Sequence, residues 1–139
     1  MNSRDIYFYL RGVMNIASSV SKNIGPSYIE VECYDKSEFE EEFKRNYKIN
    51  IKLEELEKLN NSLEDALKIW FYNEKSLIDS INYLFRLHLP EIKNIYYITE
   101  ELINEIRNKK VNSIFYDIED FIFIELEDKI IIFILGNNE

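Results

Sequence analysis

The chain is poor in everything that would interrupt or cross-link it. Its 139 residues include three glycines (Gly12, Gly25, Gly136), two prolines (Pro26, Pro90), one cysteine (Cys33) and one histidine (His88). So few breakers leave no Gly/Ser-rich or Pro-rich linker, and this length is the common size of one folding unit, so residues 1–139 are read as a single domain. A lone cysteine cannot close an internal disulfide. With no CxxC or Cys/His partner it also excludes a thiolate-rich zinc site, which suits a reducing compartment. The apolar run Ile130 to Leu135 is far shorter than the ~20 residues a spanning helix needs. Ile6 to Leu10 is broken by Arg11 and is too short for a signal peptide. The expectation is a soluble, cytoplasmic chain with no membrane contact.

Catalytic signatures are lacking too. There is no GxGxxG, GxxxxGK[ST], GxSxG or HExxH, so dinucleotide, phosphate-loop, hydrolase-elbow and zincin readings have no support. His88 falls at the end of a helical pattern with no marked nucleophile near it, and packing against the core is the simpler reading. Cys33 alternates with Ile29 and Val31, as a small buried hydrophobe would. The expectation is a protein that is not an enzyme, has no catalytic residue, holds no metal and uses no cofactor.

Positive charge is also scarce, at 17 Lys and Arg against 26 Asp and Glu, a net −9. That balance disfavours direct binding to nucleic acid or an anionic membrane and favours a cationic protein partner. The acidity is uneven. Residues 28–66 hold six bases and twelve acids, and residues 117–139 hold one base and seven acids, whereas residues 1–27 and 67–116 are slightly basic.

What is present is clear periodicity. Between Ser3 and Asn23, Ile6, Leu10, Val13, Ala17 and Val20 recur at spacings of four and three, predicting a helix that Gly25-Pro26 ends, although Ile6 to Leu10 also suits a strand. Tyr28 to Tyr34 alternates as a half-buried strand. Ser37-Glu38-Phe39-Glu40 has the form of a capping box, opening a short helix with Phe39, Phe43 and Tyr47. Leu53, Leu56, Asn60, Leu63, Leu67 and Trp70 follow a heptad spacing, read as one helix or two divided at Asn60-Asn61-Ser62. Ser76 to Asp79 opens a helix that Pro90 closes, Ile92 to Ile98 is a strand, and Thr99 begins a helix ending at Lys109-Lys110. Ile114 to Tyr116, Glu119 to Glu127 and Lys129 to Leu135 are strands, the last two joined at Asp128-Lys129. The expected fold class is α+β: a mixed or mainly antiparallel sheet of about five strands, helices packed mainly on one face, and a C-terminal β-hairpin.

Two strands combine acids with rings. Glu119, Phe121, Phe123, Glu125 and Glu127 share one side of theirs, and Asp120, Ile122, Ile124 and Leu126 the other. Tyr28, Glu30, Glu32 and Tyr34, followed by Asp35, repeat the theme, and Glu38, Glu40, Glu41 and Glu42 open the next helix. Consecutive acids on a helix point around its circumference and do not converge on a metal, so a solvated face is the better reading of the last group. Rings supply area to desolvate and carboxylates supply steering, which makes Tyr28, Glu30, Glu32, Tyr34, Asp35, Glu38, Glu41, Glu119, Phe121, Phe123, Glu125 and Glu127 the candidate partner-binding residues. The alternative is that helices cover Phe121 and Phe123 while the glutamates fringe the sheet.

In length, in its acid-and-tyrosine strand Tyr28 to Tyr34, and in the closing hairpin Phe121 to Leu135, the chain resembles the small acidic immunity proteins that bacteria carry beside polymorphic or contact-dependent growth-inhibition toxins. The resemblance is at class level and transfers no site residue. It implies a cytoplasmic inhibitor that binds and neutralises a cognate basic toxin domain, often a nuclease. An acidic interaction or regulatory subunit docking on another basic protein is the alternative, and a carboxylate-metal enzyme the more distant one; oligomeric state is left open.

Overall fold

The computed structural model describes residues 2–24, 27–59, 63–88, 91–109 and 117–137. Five strands form one sheet in the order β1-β5-β4-β3-β2, each antiparallel to its neighbours. They are β1 (Tyr28–Asp35), β2 (Glu57–Leu59), β3 (Asn94–Tyr97), β4 (Asp117–Glu125) and β5 (Lys129–Asn137). The helices are α1 (Ser3–Val20), α2 (Phe39–Tyr47), α3 (Leu63–Trp70), α4 (Lys75–His88) and α5 (Glu100–Asn108), with a 3-10 turn at Leu53–Glu55. The α+β class, the antiparallel sheet and the C-terminal hairpin agree with the sequence reading.

β5 sets the layering. Ile130, Ile131, Ile132, Phe133 and Ile134 are all fully buried, so both faces of the strand need cover. On one face, Ile131 and Phe133 join Ile122 and Ile124 of β4 under Ile6, Leu10 and Met14 of α1, Leu67 and Trp70 of α3, and Ile81 and Phe85 of α4. On the other, Ile130, Ile132 and Ile134 join Phe121 and Phe123 under Phe39, Phe43 and Tyr47 of α2 and Ile103 and Ile106 of α5. The longer helices, α1 of 18 residues and α4 of 14, lie on the first face. Two nine-residue helices cover the second.

Local sequence accounts for most boundaries. The Asn2 side chain accepts from the Asp5 amide to start α1, which is helical throughout Ile6 to Leu10. α1 stops at Val20 rather than Asn23, because Glu74 captures the Ser21 hydroxyl and the Lys22 amide and draws the chain out of the helix. Met14 therefore completes the buried stripe, and Val20 is exposed. The expected capping box does not form. α2 begins at Phe39 after a turn closed by the Glu38 amide on the Asp35 carbonyl, and Glu38 at its N-cap makes no side-chain capping bond. Thr99 caps α5 through the Leu102 amide.

The heptad from Leu53 to Trp70 is the main departure. Leu53–Glu55 is a 3-10 turn and Glu57–Leu59 is a strand on β3, so only Leu63–Trp70 is helical. β3 is also shorter than Ile92 to Ile98. The expected strand Ile114 to Tyr116, the breaks at Gly25-Pro26, Asn60-Asn61-Ser62 and Pro90, and the packing of His88 lie outside the described residues. Cys33 packs half-buried against the first core, as its alternation implied.

A bulge between Ile118 and Asp120 inserts Glu119 into β4 and shifts the parity of the strand, so Ile118 joins Phe121 and Phe123 on the α2 face. Asp120 remains on the other face, buried, with Trp70 Nε1 donating to its Oδ2 at 2.8 Å, the Tyr97 hydroxyl donating at 2.7 Å and the Phe121 amide donating to its Oδ1 at 2.9 Å. It links α3, β3 and β4 through one side chain. Replacing Asp120 by Ala takes the acceptor from all three donors, and urea unfolding should show a loss of ~2–4 kcal/mol, with Asp120→Asn losing less. Phe121→Ala opens a hole between α2 and the sheet and should lower stability by ~3–5 kcal/mol in the same measurement.

Candidate acidic binding surface

The sheet register brings the two acidic segments together at one end of the molecule. Asp35, the last residue of β1, pairs with Lys129, the first of β5, and the Lys36 amide donates to the Asp128 carbonyl at 2.9 Å. The N-terminal end of α2 therefore abuts the β4–β5 turn, where Glu127 and Asp128 are exposed. A cleft of about 380 Å³ opens beside it, lined by Lys36, Phe39, Glu40, Leu53, Glu54, Tyr96 and Glu125.

Most local cations are already engaged. Lys36 Nζ lies 2.6 Å from Glu125 Oε2, which with the Asn94 and Tyr96 donors outweighs burial and holds the Glu125 carboxyl below its usual range. Lys129 is bonded to Asp35, with Asp128 at 3.8 Å, and Arg45 is 2.6 Å from Glu42. Glu38, Glu40, Glu41, Glu54, Glu55 and Glu127 are exposed and make no ion pair among the described residues. The helix separates its charges, acids in the first turn and Lys44 and Arg45 in the last, as its dipole favours.

β1 carries a different arrangement. Glu30, Glu32 and Tyr34 lie opposite Ile134, Ile132 and Ile130 and so share the α2 face. Glu32 is roofed by α2: the Tyr34 hydroxyl donates to it at 2.6 Å and the Tyr47 hydroxyl at 2.7 Å, while Asn46 donates to the Tyr34 oxygen at 3.0 Å. Burial pushes the Glu32 carboxyl up despite both hydroxyls, and the same burial beside Glu32 pushes the Tyr34 phenol up. Glu32 and Tyr34 thus tie β1 to α2. Glu30 remains at the rim, 3.5 Å from Arg11 of α1.

The surface consequently differs from the expected acid-and-ring patch. Phe121 and Phe123 are fully buried, sealed by the rings of Phe39, Phe43 and Tyr47, so neither reaches a partner; the helix-covered alternative is the one observed. Glu119, displaced by the bulge, accepts from the Ser27 hydroxyl at 3.5 Å near the start of β1, close to half-buried Tyr28 and away from the acidic end. Asp35, Glu38, Glu41, Glu125 and Glu127 are brought together, though Glu125 is spent on Lys36. Glu40 and Glu54 line the cleft yet were not among the candidates from the sequence, because pairing the 3-10 turn with α2 is a long-range event with no local signal. Of the large exposed apolar side chains, Phe8, Ile16 and Val20 sit on α1, Ile69 on α3, Tyr72 on the turn that follows it, and Tyr83 and Leu87 on α4. No three His, Cys, Asp or Glu side chains converge to hold a metal among the described residues, and no helix there is long and apolar enough to cross a membrane.

A carboxyl whose folded pKa is raised binds more protons folded than unfolded, so its contribution to stability is full in acid and is lost as pH rises through the folded value. Comparison of the parent with Glu32→Gln by urea unfolding from pH 4 to pH 8 removes the other titrations, and the parent should lose stability relative to the variant as pH rises. A parent that gained on the variant would show that the two tyrosine hydroxyls outweigh burial.

No family model, no curated protein and no solved structure matches the chain.

Proposed function

We propose that this chain is a binding protein for a basic macromolecular partner, and more narrowly a cytoplasmic immunity protein that neutralises a cognate basic toxin domain. The observation that supports the reading is the acidic end itself: Glu38, Glu40, Glu41, Glu54 and Glu127 stand at the junction of α2, the 3-10 turn and the β4–β5 turn without cationic partners among the described residues, while Lys36 and Lys129 are held by Glu125 and Asp35. The helix dipole accounts for the acids in the first turn of α2, but Glu54 and Glu127 lie off that helix, and like charges gathered together repel and lower the stability of the fold. A positively charged partner removes that repulsion and gains from it, in encounter rate above all. Glu40 and Glu41 are also mounted on a helix packed by three buried rings, so their backbone loses little freedom on binding.

The narrower reading makes a direct demand. Co-expression with the product of the adjacent upstream gene should protect cells that the product alone arrests, and the two chains should co-purify; arrest that persists despite folded protein counts against neutralisation. The triple variant Glu40→Lys, Glu41→Lys, Glu54→Lys should slow association with that partner by roughly tenfold at low salt, converge on the parent at high salt and change dissociation little. Association that is indifferent to salt in the parent would remove the electrostatic basis of the reading.

A further inference from the structure

We propose that the outer face of α1 is where two copies of this chain meet, helix against helix and antiparallel, crossing at Gly12. The proposal goes beyond the basic-partner reading and does not depend on it. Ile6, Leu10, Met14 and Ala17 are the stripe that α1 buries against the sheet. Outside that stripe Phe8, Gly12, Ile16 and Val20 recur at every fourth position, which makes them one continuous ridge along the helix. Phe8, Ile16 and Val20 are each more than half exposed. Glycine is the poorest helix former after proline, and the fold makes no use of it here, because a Cβ on Gly12 would stand in open space. The missing side chain leaves a notch in an apolar ridge, and a notch lets a second helix backbone come close.

Charge selects the occupant. Residues 1–27 carry Arg4, Arg11 and Lys22 against Asp5 alone, so this region repels the cationic partner that the acidic end attracts. It is also where a chain of net −9 can meet its own copy without setting acid against acid. The helix dipole then fixes the direction. α1 has a base, Arg4, in its first turn, where the positive end of the dipole disfavours it, and none in its last turn, where one is favoured. Two antiparallel copies crossing at Gly12 set Phe8 of one beside Ile16 of the other, and they bring Arg4 of each toward Val20 and the closing carbonyls of the other. Each C-terminal end thereby gains the cation it lacks. Arg4 already lies over the Phe8 ring, 5.7 Å from its centroid, so its guanidinium sits on the ridge itself. A parallel pair would instead place the two Arg4 side chains and the two positive helix ends side by side. One helix face per copy is a small contact, and a dissociation constant on the order of 10–100 μM is expected.

The test is sedimentation equilibrium of the full chain from about 5 to about 500 μM, with amide NMR over the same dilution. The chain should pass from monomer to dimer, with concentration-dependent shifts at Arg4, Phe8, Gly12 and Ile16 and none at Glu40 or Glu54. Gly12→Ala should act in opposite directions on the two equilibria: it should raise the thermal midpoint of the dilute monomer by a few degrees, because alanine is the better helix former and its methyl has room, and weaken the dimer about tenfold. Ile16→Lys should abolish the dimer with the circular dichroism unchanged. Arg4→Gln should weaken it severalfold at low salt and less at high salt. A monomer at every concentration would overturn the proposal, as would a dimer that Gly12→Ala leaves unchanged or tightens. Growth beyond the dimer with shifts at Glu40 and Glu54 would mean that α1 of one copy sits on the acidic end of the next, and that outcome also overturns it. A monomer whose α1 amides shift only when a cognate partner is added would assign the face to that partner and end the proposal.

Discussion

The two-sided burial of β5 is the constraint from which the remaining architecture follows. Five successive residues, Ile130 to Ile134, are removed from water, and a strand presents alternate residues to opposite faces, so each face must find its own apolar layer. α1, α3 and α4 supply one and α2 and α5 the other. The strand must also have neighbours on both edges. β1 and β4 take those places, and because the first joins the segment rich in acid after residue 28 to the hairpin that closes the chain, covering an apolar strand is also what concentrates charge at one end.

That coupling explains why the acids and the rings of β4 part company. Phe121 and Phe123 face the side of the sheet that α2 must cover, and the three rings of α2 interlock with them at centroid separations of 5.3 to 6.0 Å. The helix that seals them carries its acids on the outside at its first turn. The same element thus removes the aromatics from the surface and replaces them with carboxylates, leaving a surface there that is electrostatic in character.

Period and local chemistry made much of the fold legible. The alternation of Tyr28 to Tyr34, the hairpin at Asp128-Lys129, the opposite facing of Asp120 and Phe121, and the Thr99 cap all follow from residues within a few positions of one another. The misread elements depend on distant ones. Leu53 and Leu56 keep helical spacing, yet the segment turns into β2 because the free edge of β3 offers backbone partners from Asn94 to Tyr97, a pairing with no trace in the local pattern. The parity of Glu119 to Glu127 is correct from Asp120 onward and fails at Glu119, where a bulge inserts one residue. Of the candidate site, the charge was visible in the segment totals; which carboxylates remain unpaired was not, since that depends on where Lys36 and Lys129 land.

The fold treats its carboxylates unequally. Glu125, Asp35 and Glu32 lie nearest the sheet, and each has found a donor: Lys36, Lys129 and a pair of tyrosines respectively. Glu40, Glu41, Glu54 and Glu127 lie one layer farther out, exposed and without an ion pair among the described residues. A charge in water contributes little to its own fold and retains nearly all its interaction for a ligand, whereas a charge already bonded must break that bond first. The outer set is therefore free to act in recognition, and the inner set holds the frame that presents it; substitutions within the inner set would confuse binding with stability, and only the outer set can separate them.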